Sequence, residues 1–217
     1  MLISNSEQSV KRLSEAQIIA VLRNMSFKKT IKLAEILVQE GVSAIEITMD
    51  ATEAPEILQY LRKTYGSALW LGAGTILSQE DAQKAQAAGA EMLISPHWDL
   101  TLYQVAKRLM IPYVPGVLTP TEIMQAQKEG VNLLKLFPAG SLGVAYFKDL
   151  LGPFSRTLFI PTGGITVQMA SDFLQAGALA IGMGSGLIPK KQVEQEDWLG
   201  VQQILEDNLA LIRERLR

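Results

Sequence analysis

Residues 39–49 read Gln39-Glu40-Gly41-Val42-Ser43-Ala44-Ile45-Glu46-Ile47-Thr48-Met49. A stretch of helical period ends on a glycine, which favours a left-handed cap, and the chain then enters a short Ile-rich run typical of a buried strand. The same joint returns as Ala87-Ala88-Gly89-Ala90-Glu91-Met92, as Lys128-Glu129-Gly130-Val131-Asn132-Leu133 and as Gln175-Ala176-Gly177-Ala178-Leu179-Ala180. One recurring helix-to-strand joint implies strands and helices in alternation, hence parallel pairing with right-handed crossovers.

Eight apolar runs are predicted as strands: Ile18–Leu22, Ala44–Met49, Leu69–Thr75, Met92–Pro96, Ile111–Val117, Leu133–Pro138, Thr157–Thr162 and Ala178–Gly182. Helical patterns are predicted near Lys28–Gln39, Ala54–Thr64, Gln79–Ala88, Leu100–Arg108, Pro120–Lys128, Val144–Leu151, Val167–Gln175 and Asp197–Arg215, with an extra helix near Glu7–Leu13. Ser78 with Asp81, and Thr119 with Glu122, have the spacing of N-terminal caps. Eight units in 217 residues leave roughly 27 residues each, which suits a compact α/β fold of the TIM (β/α)8-barrel kind. A doubly wound open sheet is the alternative, but it would place a glycine-rich turn after the first strand, where this chain has Leu22-Arg23-Asn24. No linker or composition shift marks a second domain, so residues 1–217 are expected to form a single domain.

Composition narrows the chemistry. The chain has no Cys, a single His (His97), 20 Lys plus Arg against 22 Asp plus Glu, and a formal net charge of −2. Cysteine nucleophiles, iron–sulfur clusters and the usual zinc sites are excluded, and a site of two or three His within one chain cannot be built. The charge argues against nucleic acid as a partner. No apolar run approaches the roughly 18 residues that span a bilayer, and the first residues lack the pattern of a signal peptide, so a cytoplasmic protein without membrane contact is expected.

Two charges stand inside predicted strands: Glu46 in Ala44–Met49 and Lys135 in Leu133–Pro138. Alternation places Glu46 with Thr48, and Lys135 with Leu133 and Phe137. Ionised groups in strands covered on both faces are costly unless paired. One reading is a structural pair that only satisfies itself. The other is chemical, because desolvation favours the neutral amine that attacks carbonyls, and a nearby carboxylate can move protons.

Glu46-Ile47-Thr48, Gly72-Ala73-Gly74-Thr75, Ile94-Ser95-Pro96, Lys135-Leu136-Phe137-Pro138-Ala139, Pro161-Thr162-Gly163-Gly164-Ile165 and Gly184-Ser185 follow one another in the order and spacing of a known family. The chain resembles the 2-keto-3-deoxy-6-phosphogluconate (KDPG) and 4-hydroxy-2-oxoglutarate (KHG) aldolases from about Ile18 to Pro189. The resemblance implies a class I aldolase of the Entner-Doudoroff type, a lyase independent of metal and of other cofactors, and commonly a homotrimer. It implies Lys135 as the Schiff-base nucleophile and Glu46 as general acid/base. Thr75, Pro96, Phe137 and Thr162 would line the keto-acid pocket, and Gly163, Gly164, Gly184 and Ser185 would grip a phosphate through backbone N–H groups.

The chain departs from the pattern at Asp50, where many members carry an arginine that holds the substrate carboxylate. Arg23, at the end of the first strand, is the proposed replacement; pairing with a neighbouring acid is its other reading. His97 is expected at the rim without a chemical role, and Trp70, Trp98 and Trp198 in packing. The competing substrates are 4-hydroxy-2-oxoglutarate and the C4 epimer, 2-keto-3-deoxy-6-phosphogalactonate. A non-catalytic barrel that binds a phosphometabolite is the alternative from another class.

Overall fold

The computed structural model describes residues 2–216. Its strands are β1 (Ile18–Leu22), β2 (Ala44–Thr48), β3 (Trp70–Gly74), β4 (Met92–Ile94), β5 (Tyr113–Val114), β6 (Gly116–Val117), β7 (Leu133–Leu136), β8 (Leu158–Pro161) and β9 (Ile181–Met183). Ten α-helices are described: α1 (Leu2–Ala16), α2 (Phe27–Gln39), α3 (Ala54–Tyr65), α4 (Gln79–Ala87), α5 (Leu100–Leu109), α6 (Pro120–Lys128), α7 (Gly143–Leu151), α8 (Val167–Gln175), α9 (Lys190–Glu194) and α10 (Trp198–Glu214). The extra N-terminal helix is longer than expected, since no Gly or Pro interrupts residues 2–16.

Every strand pair is parallel, so the α/β class holds. The expected single sheet of eight strands is instead nine strands in two sheets, one ordered β5-β4-β3-β2-β1-β9 and one ordered β6-β7-β8. The predicted fifth strand, residues 111–117, breaks at Pro115. Proline has no N–H to donate and so ends ladder pairing. Before the break β5 pairs with β4; after it β6 pairs with β7, and the Pro115 carbonyl still accepts from Lys135 N–H at 2.9 Å. Between β8 and β9 the contact reduces to a bridge of Thr162 with Gly182 and a 2.9 Å bond from Leu179 N–H to Phe159 O.

Side-chain alternation divides the apolar interior in two. A large outer core fills the space between strands and helices, and a smaller inner core gathers Ile19, Ala44, Trp70, Met92, Ile94, Val114, Ile160 and Ala180 from both sheets. Leu13 of α1 joins this inner core, so the N-terminal helix closes the end where the strands begin. Glu91 fixes that closure: its carboxylate accepts from Arg12 of α1 and, at 2.5 Å, from Arg62 of α3.

The recurring joint has the backbone its glycines imply, with φ of +83° at Gly41, +90° at Gly89, +83° at Gly130 and +107° at Gly177. Both expected caps are formed: Ser78 accepts from Asp81 N–H, and Thr119 and Glu122 make a reciprocal capping box.

Gly130 isolates the conformational part of the joint, because an added Cβ would meet nothing within 4 Å. Gly130→Ala is therefore expected to destabilise the fold by about 1 kcal/mol through the left-handed backbone alone; urea unfolding would show it, and an unchanged midpoint would contradict it.

Candidate active site

The inner face becomes polar toward the ends where the strands finish. Glu46 extends the inward series of β2 above Ala44, and Lys135 extends that of β7 above Leu133. Lys135 Nζ lies 3.5 Å from Glu46 Oε1, with side chains only 7% and 3% exposed. The two strands belong to different sheets, so the ion pair crosses the interior. Burial excludes the water that would otherwise weaken the attraction and compete for the amine.

Neighbouring positions make room for the pair. Glu46 stands in register with Gly72, and Lys135 with Gly116. A Cβ on Gly74 would overlap the Glu46 carboxylate, and one on Gly182 would overlap the Thr162 hydroxyl. Gly74 is required by the space that Glu46 takes, and composition and periodicity did not single it out. The signal available was a Gly-x-Gly pattern inside a strand, which marks close approach of another group.

The other expected residues take these places. The Phe137 ring centroid is 5.4 Å from Lys135 Nζ. A Cβ on Gly163 would stand 2.8 Å from that same ring, so the glycine pair after β8 abuts the ring beside the amine. Thr162 is buried and donates from Oγ1 to Ile160 O at 3.2 Å. Thr75 leaves β3 with φ +55° and is half-buried, as is Pro96. Gly163 and Gly164 follow β8, and Gly184 and Ser185 follow β9, the two strand ends joined by the Thr162–Gly182 bridge. The N-terminus of α8 opens just beyond Gly164, capped by Thr166.

Arg23 and Asp50 are paired with each other, Nη2 to Oδ2 at 2.8 Å. His97 is exposed, and its Nδ1 lies 3.2 Å from Ser95 Oγ. Trp70 is wholly within the inner core, and Trp98 packs against Tyr103 and Tyr113. A hollow of about 850 Å³ lies at the opposite end, beside α1. Val10, Met92, Ile111, Val114 and Leu133 are among its lining residues, but neither Lys135 nor Glu46 is.

Comparison with known proteins gives the family. Residues 10–204 match the family model described as KDPG and KHG aldolase. The chain belongs to the KDPG and KHG aldolase family. It is 31% identical to the 2-dehydro-3-deoxy-phosphogluconate aldolase of Pseudomonas aeruginosa over 218 residues, covering 98% of this chain and 99% of that protein. It is 30% identical to the KHG/KDPG aldolase of Escherichia coli K12 over 187 residues, 86% of this chain and 87% of that one. Among solved structures, the KDPG aldolase of Legionella pneumophila, with pyruvate captured as a covalent carbinolamine, superposes with a TM-score of 0.84 at 27% identity, covering 91% of this chain and 96% of that one. Family membership makes the chain a lyase.

Tyr113 supports the segment that carries Pro96, donating from its hydroxyl to His97 O at 3.3 Å. Burial pushes its phenol up to about 12 from the ordinary 10. The unfolded chain ionises first, so the contribution of Tyr113 to stability is complete below pH 10 and is lost as pH rises toward 12. Ultraviolet titration of the five tyrosines should show one ionising near pH 12, absent in Tyr113→Phe; five tyrosines titrating together near 10 would contradict the burial argument.

Proposed function

We propose that the chain is a class I aldolase that cleaves 2-keto-3-deoxy-6-phosphogluconate to pyruvate and glyceraldehyde 3-phosphate, with Lys135 as nucleophile and Glu46 as proton carrier. The observation that carries this reading is the buried amine and carboxylate 3.5 Å apart, inside a chain of this aldolase family.

The chemistry follows from those two groups. The free amine of Lys135 adds to the C2 ketone, and loss of water from the carbinolamine leaves a protonated imine. Glu46 carries protons in the formation and breakdown of these intermediates. Removal of the C4 hydroxyl proton lets the C3–C4 bond break: the aldehyde departs and the electron pair of the bond flows into the imine, giving an enamine. Protonation at C3 and hydrolysis then release pyruvate and restore the amine.

Thr75, Pro96, Phe137 and Thr162 shape the keto-acid pocket in this reading, with the Phe137 ring beside the imine. Arg23 holds the carboxylate, and the backbone of Gly163, Gly164, Gly184 and Ser185 binds the phosphate, aided by the N-terminus of α8. The double name of the Escherichia coli relative favours 4-hydroxy-2-oxoglutarate as a second substrate, cleaved to pyruvate and glyoxylate by the same steps.

The two sheets are read as arcs of one (β/α)8 barrel in a single domain, interrupted at Pro115; the inner core fed by both sheets supports this. A metal-independent reaction without a cofactor is supported by the chemistry of an imine, which serves as its own electron sink. A homotrimer in the cytoplasm is the proposed working form. Among the described residues no helix is long and apolar enough to cross a membrane.

Pyruvate release from 2-keto-3-deoxy-6-phosphogluconate tests the reading. Lys135→Ala is expected to abolish turnover, and Glu46→Gln to lower kcat by about a hundredfold to ten-thousandfold, with a chelator leaving the wild-type rate intact. Wild-type-like turnover by Lys135→Ala would overturn the assignment, and loss of activity on chelation would overturn the metal-independent route.

A further inference from the structure

The Arg23–Asp50 pair has a role that follows from where it stands. Leu22 and Met49 belong to the outer core. Arg23 directly follows β1, whose inward side chains include Ile19, and Asp50 stands two residues past β2, whose inward side chains include Ala44. The pair lies past the ends of β1 and β2, and β2 is the strand that carries Glu46.

Two further bonds tie the same pair of segments. Thr48 Oγ1 donates to Leu22 O at 3.4 Å, and Phe27 N–H, at the start of α2, donates to Glu53 Oε2 at 3.1 Å. Arg23 is 56% exposed and Asp50 24%, so solvent screens the pair and it adds little to stability. Its consequence is orientation. A long, flexible guanidinium on an open rim samples many rotamers, and the shorter Asp50 side chain at 2.8 Å narrows that range. The planar fork then has N–H groups left over for a second carboxylate.

We infer that Asp50 is a positioning residue, which holds the Arg23 guanidinium over the mouth for the substrate carboxylate and whose own charge is masked by that contact. The inference rests on the reading of Arg23 as the carboxylate's cation. Asp50 thus plays two opposed parts. Paired, it organises the cation; unpaired, it is an anion beside an anionic substrate.

Steady-state kinetics with 2-keto-3-deoxy-6-phosphogluconate separates these parts. Arg23→Ala is expected to raise KM about tenfold, as befits the loss of a charge-assisted contact, because it removes the cation and also unmasks Asp50. Asp50→Ala should raise KM severalfold with a smaller change in kcat, and Asp50→Asn, whose amide oxygen still accepts from the guanidinium, should fall between Asp50→Ala and the wild type. The double variant Arg23→Ala/Asp50→Ala should recover part of the KM lost in Arg23→Ala. A wild-type KM in Asp50→Ala, or a double variant no better than Arg23→Ala, overturns the role of Asp50 while leaving that of Arg23 standing. An unchanged KM in Arg23→Ala overturns the reading of Arg23 itself and the inference with it.

Discussion

A lysine and a glutamate buried together in an apolar interior form the contact on which the rest of this molecule depends. Neither charge is tolerable there alone: stripping one partner from a buried pair costs about 3–5 kcal/mol, and well-packed apolar residues of similar volume would often serve stability as well or better. A pair that does not repay its desolvation in stability is most simply explained by chemistry. An amine held away from water beside a proton-accepting carboxylate is what addition to a ketone requires.

The fold is arranged to make this contact possible. Glu46 and Lys135 stand on strands of different sheets, so their approach needs both inner faces turned toward one axis and in register. The interior is filled by large side chains, Trp70, Met92, Ile94, Val114 and Ile160, toward the end closed by Leu13. Nearer the strand ends it is lined by Gly74, Gly116 and Gly182, positions where a Cβ would collide with its neighbours. A packed floor beneath a glycine-lined layer leaves room for the buried pair. In the proposed reading the groups that hold the carboxylate and the phosphate occupy the loops that follow the strands, where they vary without disturbing the core.

Much of this was legible in the sequence because it is written in local rules. The four glycine joints specified helix-to-strand returns, and their positive φ values follow from the residue type. Glu46 and Lys135 stood out because a charge inside an apolar strand violates the pattern. What local rules missed depends on groups distant in sequence. The split of the fifth predicted strand turns on Pro115, where one ladder ends before the next begins; the residue type signals a break, but the apolar run continues across it. Gly74 is required by the carboxylate of Glu46, and the pairing of Arg23 with Asp50 arises between two loops. Residue 50 departs from the family pattern as a single substitution, but in space it is half of a contact.

If Lys135 carries the covalent chemistry, a keto acid can be trapped on it. Incubating the protein with pyruvate and borohydride, digesting it and locating the added mass by mass spectrometry tests this directly. A single stable adduct on the peptide containing Lys135 is expected; an adduct on another lysine, or none at all under conditions in which the enzyme turns over, would rule Lys135 out as the nucleophile.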